Sequence, residues 1–152
     1  PVLAGLHYQT PDHHAIPAAD LCAMADLLAE RAGDFLLVGD AAVLYAMAGK
    51  RSVLPSLWFH PEVTLPSRGT EGFRAWQDVL AEQVTDGRIA RIVVEVEGTW
   101  IGNWTLGDLP RVRRAAVERG FEESRHGAFR LLELAPARSA QDAAGQPGAP
   151  GS

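Results

Sequence analysis

Three polar residues, each directly after a short apolar segment, are the side chains of this sequence best placed to do chemistry. Asp40 follows the run that ends at Val38, His60 follows a second run, and Glu97 follows a third. Because ligands bind beyond the carboxyl ends of strands in open α/β sheets, we expect these three side chains to gather at one edge of a sheet. A carboxylate there accepts hydrogen bonds or holds a metal, and an imidazole transfers protons. A hydrolase or transferase that uses Asp40 and His60 is the least supported hypothesis, since no nucleophile motif accompanies them.

The same residues have structural interpretations. Asp40 stands where a carboxylate caps a following helix over residues 41–48, and that role alone accounts for it. His60 precedes Pro61, so its backbone is extended and its ring is interpreted as a hydrogen-bonding group of a loop. No glycine-rich phosphate loop surrounds Gly39. We therefore predict no catalytic residue, no metal site and no cofactor in this chain.

Tryptophans are a further candidate for binding. Trp58, Trp100 and Trp104 fall in or beside predicted loops, whereas Trp76 falls on the apolar face of a predicted helix. Aromatic rings in loops suit the faces of sugars or a membrane interface. The alternative is that these rings seal loops over a small core.

The composition is that of a globular chain with a mild acidic excess. Of 152 residues, 47% are hydrophobic and 22% are charged, and 19 acidic against 14 basic residues give a net charge of −5. This composition excludes a collagen-like fibre and a disulfide scaffold, and it argues against a nucleic-acid partner. The single cysteine, Cys22, cannot form an internal disulfide. No segment approaches the ~18 to 20 apolar residues that cross a bilayer.

Apolar periodicity predicts alternating helices and short strands. Helices are predicted over 18–32, 41–48, 71–85 and 109–119, strands over 35–38, 56–59 and 89–96, and a closing β-hairpin over 121–134. This alternation predicts an α/β fold, namely a three-layer Rossmann-like sandwich whose mostly parallel sheet ends in a C-terminal antiparallel hairpin. Residues 18–134 are the predicted single domain. Residues 1–17 are an irregular lead-in, and residues 135–152, which lack large apolar side chains, are a disordered tail.

One stretch carries a family resemblance. A hydrophobic strand at 35–38 is followed by a tyrosine in a short helix, then glycine and arginine, then a loop with an aromatic residue and a proline. Those places are filled here by Tyr45, Gly49, Arg51, Trp58 and Pro61. The pattern resembles the soluble C-terminal region of multi-span GT-C superfamily glycosyltransferases, the protein mannosyltransferase and aminoarabinose transferase group, which use polyprenyl-phosphate sugars.

The resemblance implies a non-catalytic domain on the extracytoplasmic (periplasmic) face of a membrane, which supports the parent enzyme or binds its acceptor. Its partners are then the membrane-embedded remainder of the parent chain and a carbohydrate or other acceptor. The start at Pro1 without a methionine favours a piece of a longer protein. The family's catalytic acid lies in an early loop between membrane spans, so no catalytic role is carried onto this sequence. The candidate binding residues are Asp40, Tyr45, Trp58, His60, Glu97, Trp100 and Trp104.

The alternative hypothesis is a stand-alone Rossmann-like module that binds a nucleotide or another small molecule. Its support is the junction at which a strand leads through Gly39 and Asp40 into a helix. Its weakness is that the glycine fingerprint of dinucleotide-binding proteins is missing.

Overall fold

The structure is a computed structural model that describes residues 7–9, 15–55, 64–96 and 104–135. Its strands are β1 (His7–Gln9), β2 (Ala15–Pro17), β3 (Asp34–Val38), β4 (Ile89–Glu95), β5 (Phe121–His126) and β6 (Phe129–Leu134). Its α-helices are α1 (Ala18–Ala29), α2 (Val43–Met47), α3 (Glu71–Thr85) and α4 (Pro110–Glu118), and a 3₁₀ helix spans Leu106–Asp108. The predicted α/β class is confirmed. The predicted strand over 56–59 lies outside the described residues.

The main sheet has four strands in the order β3-β4-β6-β5. Only β3 and β4 are parallel, whereas β6 pairs antiparallel with both β4 and β5. The prediction of a mostly parallel sheet is therefore wrong, although the C-terminal antiparallel hairpin is confirmed. The physical reason is which strand lies next to β4. β5 follows a helix and runs in the same direction as β4, as predicted, but its hairpin partner β6 lies between the two.

Both faces of this sheet are buried along β3. In β3, Phe35 and Leu37 point to one face and Leu36 and Val38 to the other, and all four are at most 2% exposed. Helices α1 and α2 pack on the face of Phe35 and Leu37, and helices α3 and α4 pack on the opposite face. This explains why β3 is apolar at successive positions, as expected of a strand that is covered on both sides.

Local sequence signals set where two of the helices begin. Thr70 caps α3, since its hydroxyl accepts the backbone N–H of Phe73 at 3.1 Å. The start of α4 is set by a different signal. Thr105 and Asp108 cap the short 3₁₀ helix reciprocally, and α4 then begins at Pro110, whose fixed φ suits a first helical position.

The segment ahead of α1 contributes a small sheet of its own. β1 and β2 pair antiparallel, with Tyr8 opposite Ile16, and Ile16 is 4% exposed in the cluster beneath α1. The prediction treated residues 1–17 as irregular because they carry three prolines and no clear period.

Across the described ranges, no helix is both long enough and apolar enough to span a bilayer.

Candidate functional site

Two buried carboxyl groups lie where β3 and β4 end. Asp40 is 2% exposed and comes two residues after β3, and Glu95 is 4% exposed and is the last residue of β4. Because the two strands are parallel neighbours, their carboxyl ends meet at the same edge of the sheet. Glu95 Oε1 accepts the backbone N–H of Ala41 at 2.6 Å, so its carboxyl group holds the loop that follows β3.

Gly39 makes this approach sterically feasible. A Cβ atom at position 39 would lie 2.5 Å from Cδ and Oε1 of Glu95, which is closer than non-bonded atoms approach. The missing side chain therefore leaves room for the Glu95 carboxyl group against the backbone. From the sequence, Gly39 is part of a strand–helix junction that lacks a phosphate loop, and its contact with Glu95 is not predicted.

Asp40 lies at the predicted edge of the sheet but does not cap the next helix. Helix α2 begins at Val43, and its N-cap position is Ala42, which makes no side-chain cap hydrogen bond. The interpretation of Asp40 as a helix cap is therefore wrong. The reason is a tight turn after β3, in which the Asp40 carbonyl accepts the N–H of Ala42 at 2.9 Å and delays the start of the helix.

Tyr45 turns back onto the strand that precedes it. Its hydroxyl accepts the N–H of Leu37 at 3.1 Å and donates to the carbonyl of Phe35 at 3.3 Å. Its ring stacks on Phe35 with 4.4 Å between ring centres. Burial raises the pKa of Tyr45 to about 12, so the phenol stays protonated at neutral pH. The Tyr45 side chain therefore makes these contacts with β3 of its own chain.

Trp104 is buried at 1% exposure on the sheet face that carries α3 and α4. It meets Phe73 edge to face at 5.4 Å between ring centres, and the guanidinium of Arg68 lies 4.1 Å from the centre of its ring. The ring is thus enclosed by protein and does not present a face to a ligand. This supports the alternative in which a loop tryptophan seals the core.

The other four candidate residues, Trp58, His60, Glu97 and Trp100, lie outside the described residues. The structure therefore places Asp40 at the expected edge of the sheet, and the gathering of Asp40 with His60 and Glu97 stays a prediction. Within the described ranges it is Glu95 that shares this edge with Asp40.

A cavity of about 320 Å³ opens beside Glu95. Its walls come from β2, the first turn of α1, the end of β4 and the β5–β6 turn, through residues that include Ile16, Asp20, Glu95, Arg125 and Gly127. This volume lies at the lower end of the range of small-molecule sites. The cavity thus lies at the carboxyl end of a strand of the sheet, which is the place the sequence indicated for a ligand.

Asp20 joins two walls of this cavity. Its Oδ2 atom accepts the N–H of Ala128 at 2.9 Å, across 108 residues of sequence. Gly127, at the turn, has φ of 57°, and a Cβ atom there would lie 2.3 Å from the Asp20 carboxyl group. The turn therefore needs glycine both for its conformation and for its contact with α1.

The charged side chains of the cavity were not predicted. Asp20 and Glu95 supply acceptors, and Arg125, an exposed residue of β5, supplies a cation at the wall. The sequence did contain one signal for Glu95. It is the only carboxylate in a strand that is otherwise apolar at its end, and a buried charge needs a partner. For Asp20 no local signal distinguished it from an ordinary acidic residue in a first helical turn.

The chemistry that this arrangement supports is hydrogen bonding to a donor-rich ligand. Carboxylates accept from hydroxyl and ammonium groups, and a guanidinium donates to oxygen atoms. Within the parts of the chain that the structure describes, no group of three or more His, Cys, Asp or Glu side chains is arranged to hold a metal ion. Cys22 is half-buried in α1.

Comparisons of the chain with known protein families, with curated proteins and with solved structures found no match. The resemblance to the GT-C glycosyltransferases thus rests on the sequence pattern around Tyr45, Gly49 and Arg51 and remains a prediction.

Proposed function

We propose that this chain is a non-catalytic domain of a polyprenyl-phosphate-sugar-dependent membrane glycosyltransferase of the GT-C superfamily. The domain lies on the extracytoplasmic, periplasmic face and supports the enzyme or binds its acceptor. Its partner is the membrane-embedded remainder of the parent chain. A Rossmann-like arrangement belongs to this proposal, since β3 and β4 are parallel neighbours with helices between them in sequence.

The observation that supports the proposal is that the described first half of the pattern, from β3 through Tyr45 to Gly49, forms one structural unit, whereas Trp58 and Pro61 lie outside the described residues. β3 leads into α2, from which Tyr45 reaches back to hydrogen-bond the β3 backbone. Gly49 follows the helix, and Lys50 Nζ then donates to the carbonyl of Arg31, close before β3, at 2.8 Å. A tyrosine in a short helix after a hydrophobic strand therefore has a physical reason in this chain, which supports the resemblance.

The coding sequence around residues 1–152 gives the first test. We expect the same reading frame to encode several hydrophobic segments of about 20 residues, each long enough to cross a bilayer. A complete reading frame without such segments would contradict the proposal.

Kinetics of the intact parent enzyme in membrane vesicles test the non-catalytic role. General acid–base groups contribute about 10² to 10⁴ in rate. We expect Asp40→Asn and Glu95→Gln to change kcat for sugar transfer less than about tenfold, close to the exposed control Glu82→Gln on α3. A loss of about a hundredfold in kcat from Asp40→Asn, with the protein still folded, would assign the chemistry to this domain instead.

A second candidate function is a module that binds a small polar molecule, and the cavity beside Glu95 is the observation that favours it. The described lining residues include two that carry carboxyl groups, Asp20 and Glu95, and one that carries a guanidinium, Arg125. Like charge disfavours phosphate groups there, so a carbohydrate or an amino sugar fits the walls better than a nucleotide. In the parent enzyme, the same cavity is a candidate place for the acceptor.

Thermal unfolding with glucose, glucosamine and ADP as probes tests this second function. A probe at about ten times its dissociation constant adds about 1.4 kcal/mol to the free energy of unfolding, which raises Tm by a few degrees. We expect glucosamine to stabilise the wild-type chain and the Glu82→Gln control, and to stabilise Glu95→Gln less. Stabilisation by ADP alone, or equal stabilisation of all three proteins, would count against this assignment.

A further inference from the structure

The two edges of the four-stranded sheet are built differently. At the β3 edge, the hydroxyl of Tyr45 bonds the outward N–H of Leu37 and the outward carbonyl of Phe35. At the opposite edge lies β5, and within the described ranges no strand pairs with its outer side. An open edge strand is a template for another strand.

Hairpin geometry decides which backbone groups of β5 point outward. His126 pairs with Phe129 across a two-residue turn, and such a closing pair exchanges both of its backbone hydrogen bonds. Because the pattern alternates along a strand, Ser124 and Glu122 also bond β6. The N–H and carbonyl groups of Glu123 and Arg125 therefore point away from the sheet.

The side chains of β5 are charged in a self-complementary order. Two carboxylates, of Glu122 and Glu123, precede Ser124, and the guanidinium of Arg125 and the imidazole of His126 follow it. Residues 122–125 are exposed to solvent. A sequence of this kind places unlike charges opposite each other when it pairs antiparallel with itself.

Only one two-fold register uses this complementarity. If the axis passes through Glu123 or through Arg125, that residue faces its own copy and like charges meet. If the axis passes through Ser124, Glu123 of one copy faces Arg125 of the second copy. In the same register, Glu122 faces His126 of the second copy. In that register the outward backbone groups of Glu123 and Arg125 are also in phase for hydrogen bonding between the copies.

We propose that β5 is an interaction surface for a second copy of this chain, paired antiparallel and two-fold symmetric about Ser124. One continuous sheet then runs through both copies. This inference goes beyond the proposed function and does not depend on it. A single strand edge buries little surface, so we expect a weak dimer with a dissociation constant of about 100 μM.

Sedimentation velocity over a concentration series, with charge-swap variants, tests the register. Glu123→Arg alone and Arg125→Glu alone each place like charges opposite each other, and we expect each to weaken dimerisation about tenfold. The double variant Glu123→Arg/Arg125→Glu restores unlike pairs and should recover the wild-type dissociation constant. Glu82→Arg on α3 is the matched control and should leave it unchanged. A wild-type chain that stays monomeric at millimolar concentration, or a double variant as weak as the singles, overturns the proposal.

Disulfide trapping tests the same register independently. In a Cys22→Ala background, Ser124→Cys brings two thiols together at the axis, where the Cα atoms of a non-hydrogen-bonded pair are about 4.5 Å apart. Glu122→Cys is the control, since its two copies would be displaced by four residues, or about 13 Å. We expect a covalent dimer from Ser124→Cys and little from Glu122→Cys under mild oxidation. Equal yields from both variants would show that the contacts are not those of this register.

Discussion

At the edge of β3 with which no described strand pairs, the hydroxyl of Tyr45 takes the place of a neighbouring strand. It serves one outward donor, on Leu37, and one outward acceptor, on Phe35. Buried backbone groups need such partners, because an unsatisfied one costs about 1 to 3 kcal/mol. The tyrosine that carries part of the family resemblance therefore has a structural role in this chain.

Removal of this hydroxyl should be costly. We expect Tyr45→Phe to lower the free energy of unfolding by about 1 to 3 kcal/mol at neutral pH, since the N–H of Leu37 loses its acceptor while the ring still fills its space. Urea denaturation measures the change. Thr85→Val, which removes an exposed hydroxyl at the end of α3, is the control and should stay within about 0.5 kcal/mol of wild type.

The same hydroxyl should make stability fall at high pH. The pKa of Tyr45 is about 12 in the folded chain and about 10 when unfolded, so its stabilisation is complete below pH 10 and is lost between pH 10 and 12. The expected loss is about 1.4 kcal/mol per pH unit in this window. Wild type and Tyr45→Phe share every other titrating group, so their free energies of unfolding should converge as the pH rises. Parallel curves for the two proteins would contradict this assignment.

Gly39 and Glu95 should depend on each other. We expect Gly39→Ala to destabilise the chain by about 1 to 3 kcal/mol, because its Cβ would overlap the Glu95 carboxyl group. Gly72→Ala, in the first turn of α3 with only ordinary contacts, is the matched control and should be neutral or stabilising. In Glu95→Ala the overlap is gone, so adding Gly39→Ala to it should cost little. Additive effects of the two changes in urea denaturation would rule out this contact.

At the scale of elements, the hairpin β5–β6 packs on the first helix through Phe129 and Leu131 and is hydrogen-bonded to it by the carboxyl group of Asp20. Asp20 holds the N–H of Ala128 at the turn, and the two groups together form part of the cavity wall. This bond fixes the end of the hairpin relative to α1. The shape of the cavity therefore depends on a contact between the first helix and the last two strands.

Loss of this bond should loosen the turn. We expect Asp20→Ala to cost about 1 to 2 kcal/mol and to speed amide exchange at Ala128, since its N–H loses its acceptor. Asp26→Ala, an exposed aspartate of the same helix, is the control and should leave exchange at Ala128 unchanged. Hydrogen exchange followed by NMR measures both. Similar exchange rates at Ala128 in the two variants would show that the turn does not need Asp20.

The sequence predicted elements better than their arrangement. Apart from β1 and β2, the helices and strands within the described ranges follow from spacing and capping that are local, as with Thr70 and the apolar run of β3. The order of the strands is not local. Nothing near β6 indicates that it, rather than β5, lies beside β4, and this is why the sheet was predicted to be mostly parallel.

The candidate site was likewise predicted only in part. The rule that ligands bind at the carboxyl ends of strands places Asp40 at the edge where β3 and β4 end, although Asp40 does not line the cavity there. Its companion there, Glu95, was missed because its role depends on a bond to Ala41, which is 54 residues away in the sequence. Asp20 and Arg125 were missed for the same reason, since their place in the cavity arises only when α1 meets the hairpin.

At the scale of the whole molecule, two apolar clusters share one sheet. Leu36 belongs to the cluster beneath α3 and α4, and its neighbour Leu37 belongs to the cluster beneath α1 and α2. Because the same strand carries both, neither face can lose its packing without disturbing the other. We therefore expect the chain to unfold in a single cooperative transition.

Leucine truncation on each face tests this coupling. Leu36→Ala and Leu37→Ala should each cost about 2 to 5 kcal/mol, because both side chains are fully buried. Leu37→Ala should speed amide exchange in α3 as much as in α1, although it touches only the cluster of α1. Exchange in α3 that is unchanged in Leu37→Ala would show that the two faces unfold separately. Val79→Ala, an exposed residue of α3, is the control.

The position of β6 inside the sheet has a consequence for synthesis. The strand that comes last along the described chain lies between β4 and β5, and it alone joins β5 to the rest of the sheet. On a translating ribosome, β4 therefore waits with one edge open and with Val93 and Val94 short of their packing partners until residues 129–134 emerge. Folding of this domain is then completed near the end of its translation, and an emerging chain stopped before Phe129 would expose a hydrophobic strand edge to chaperones.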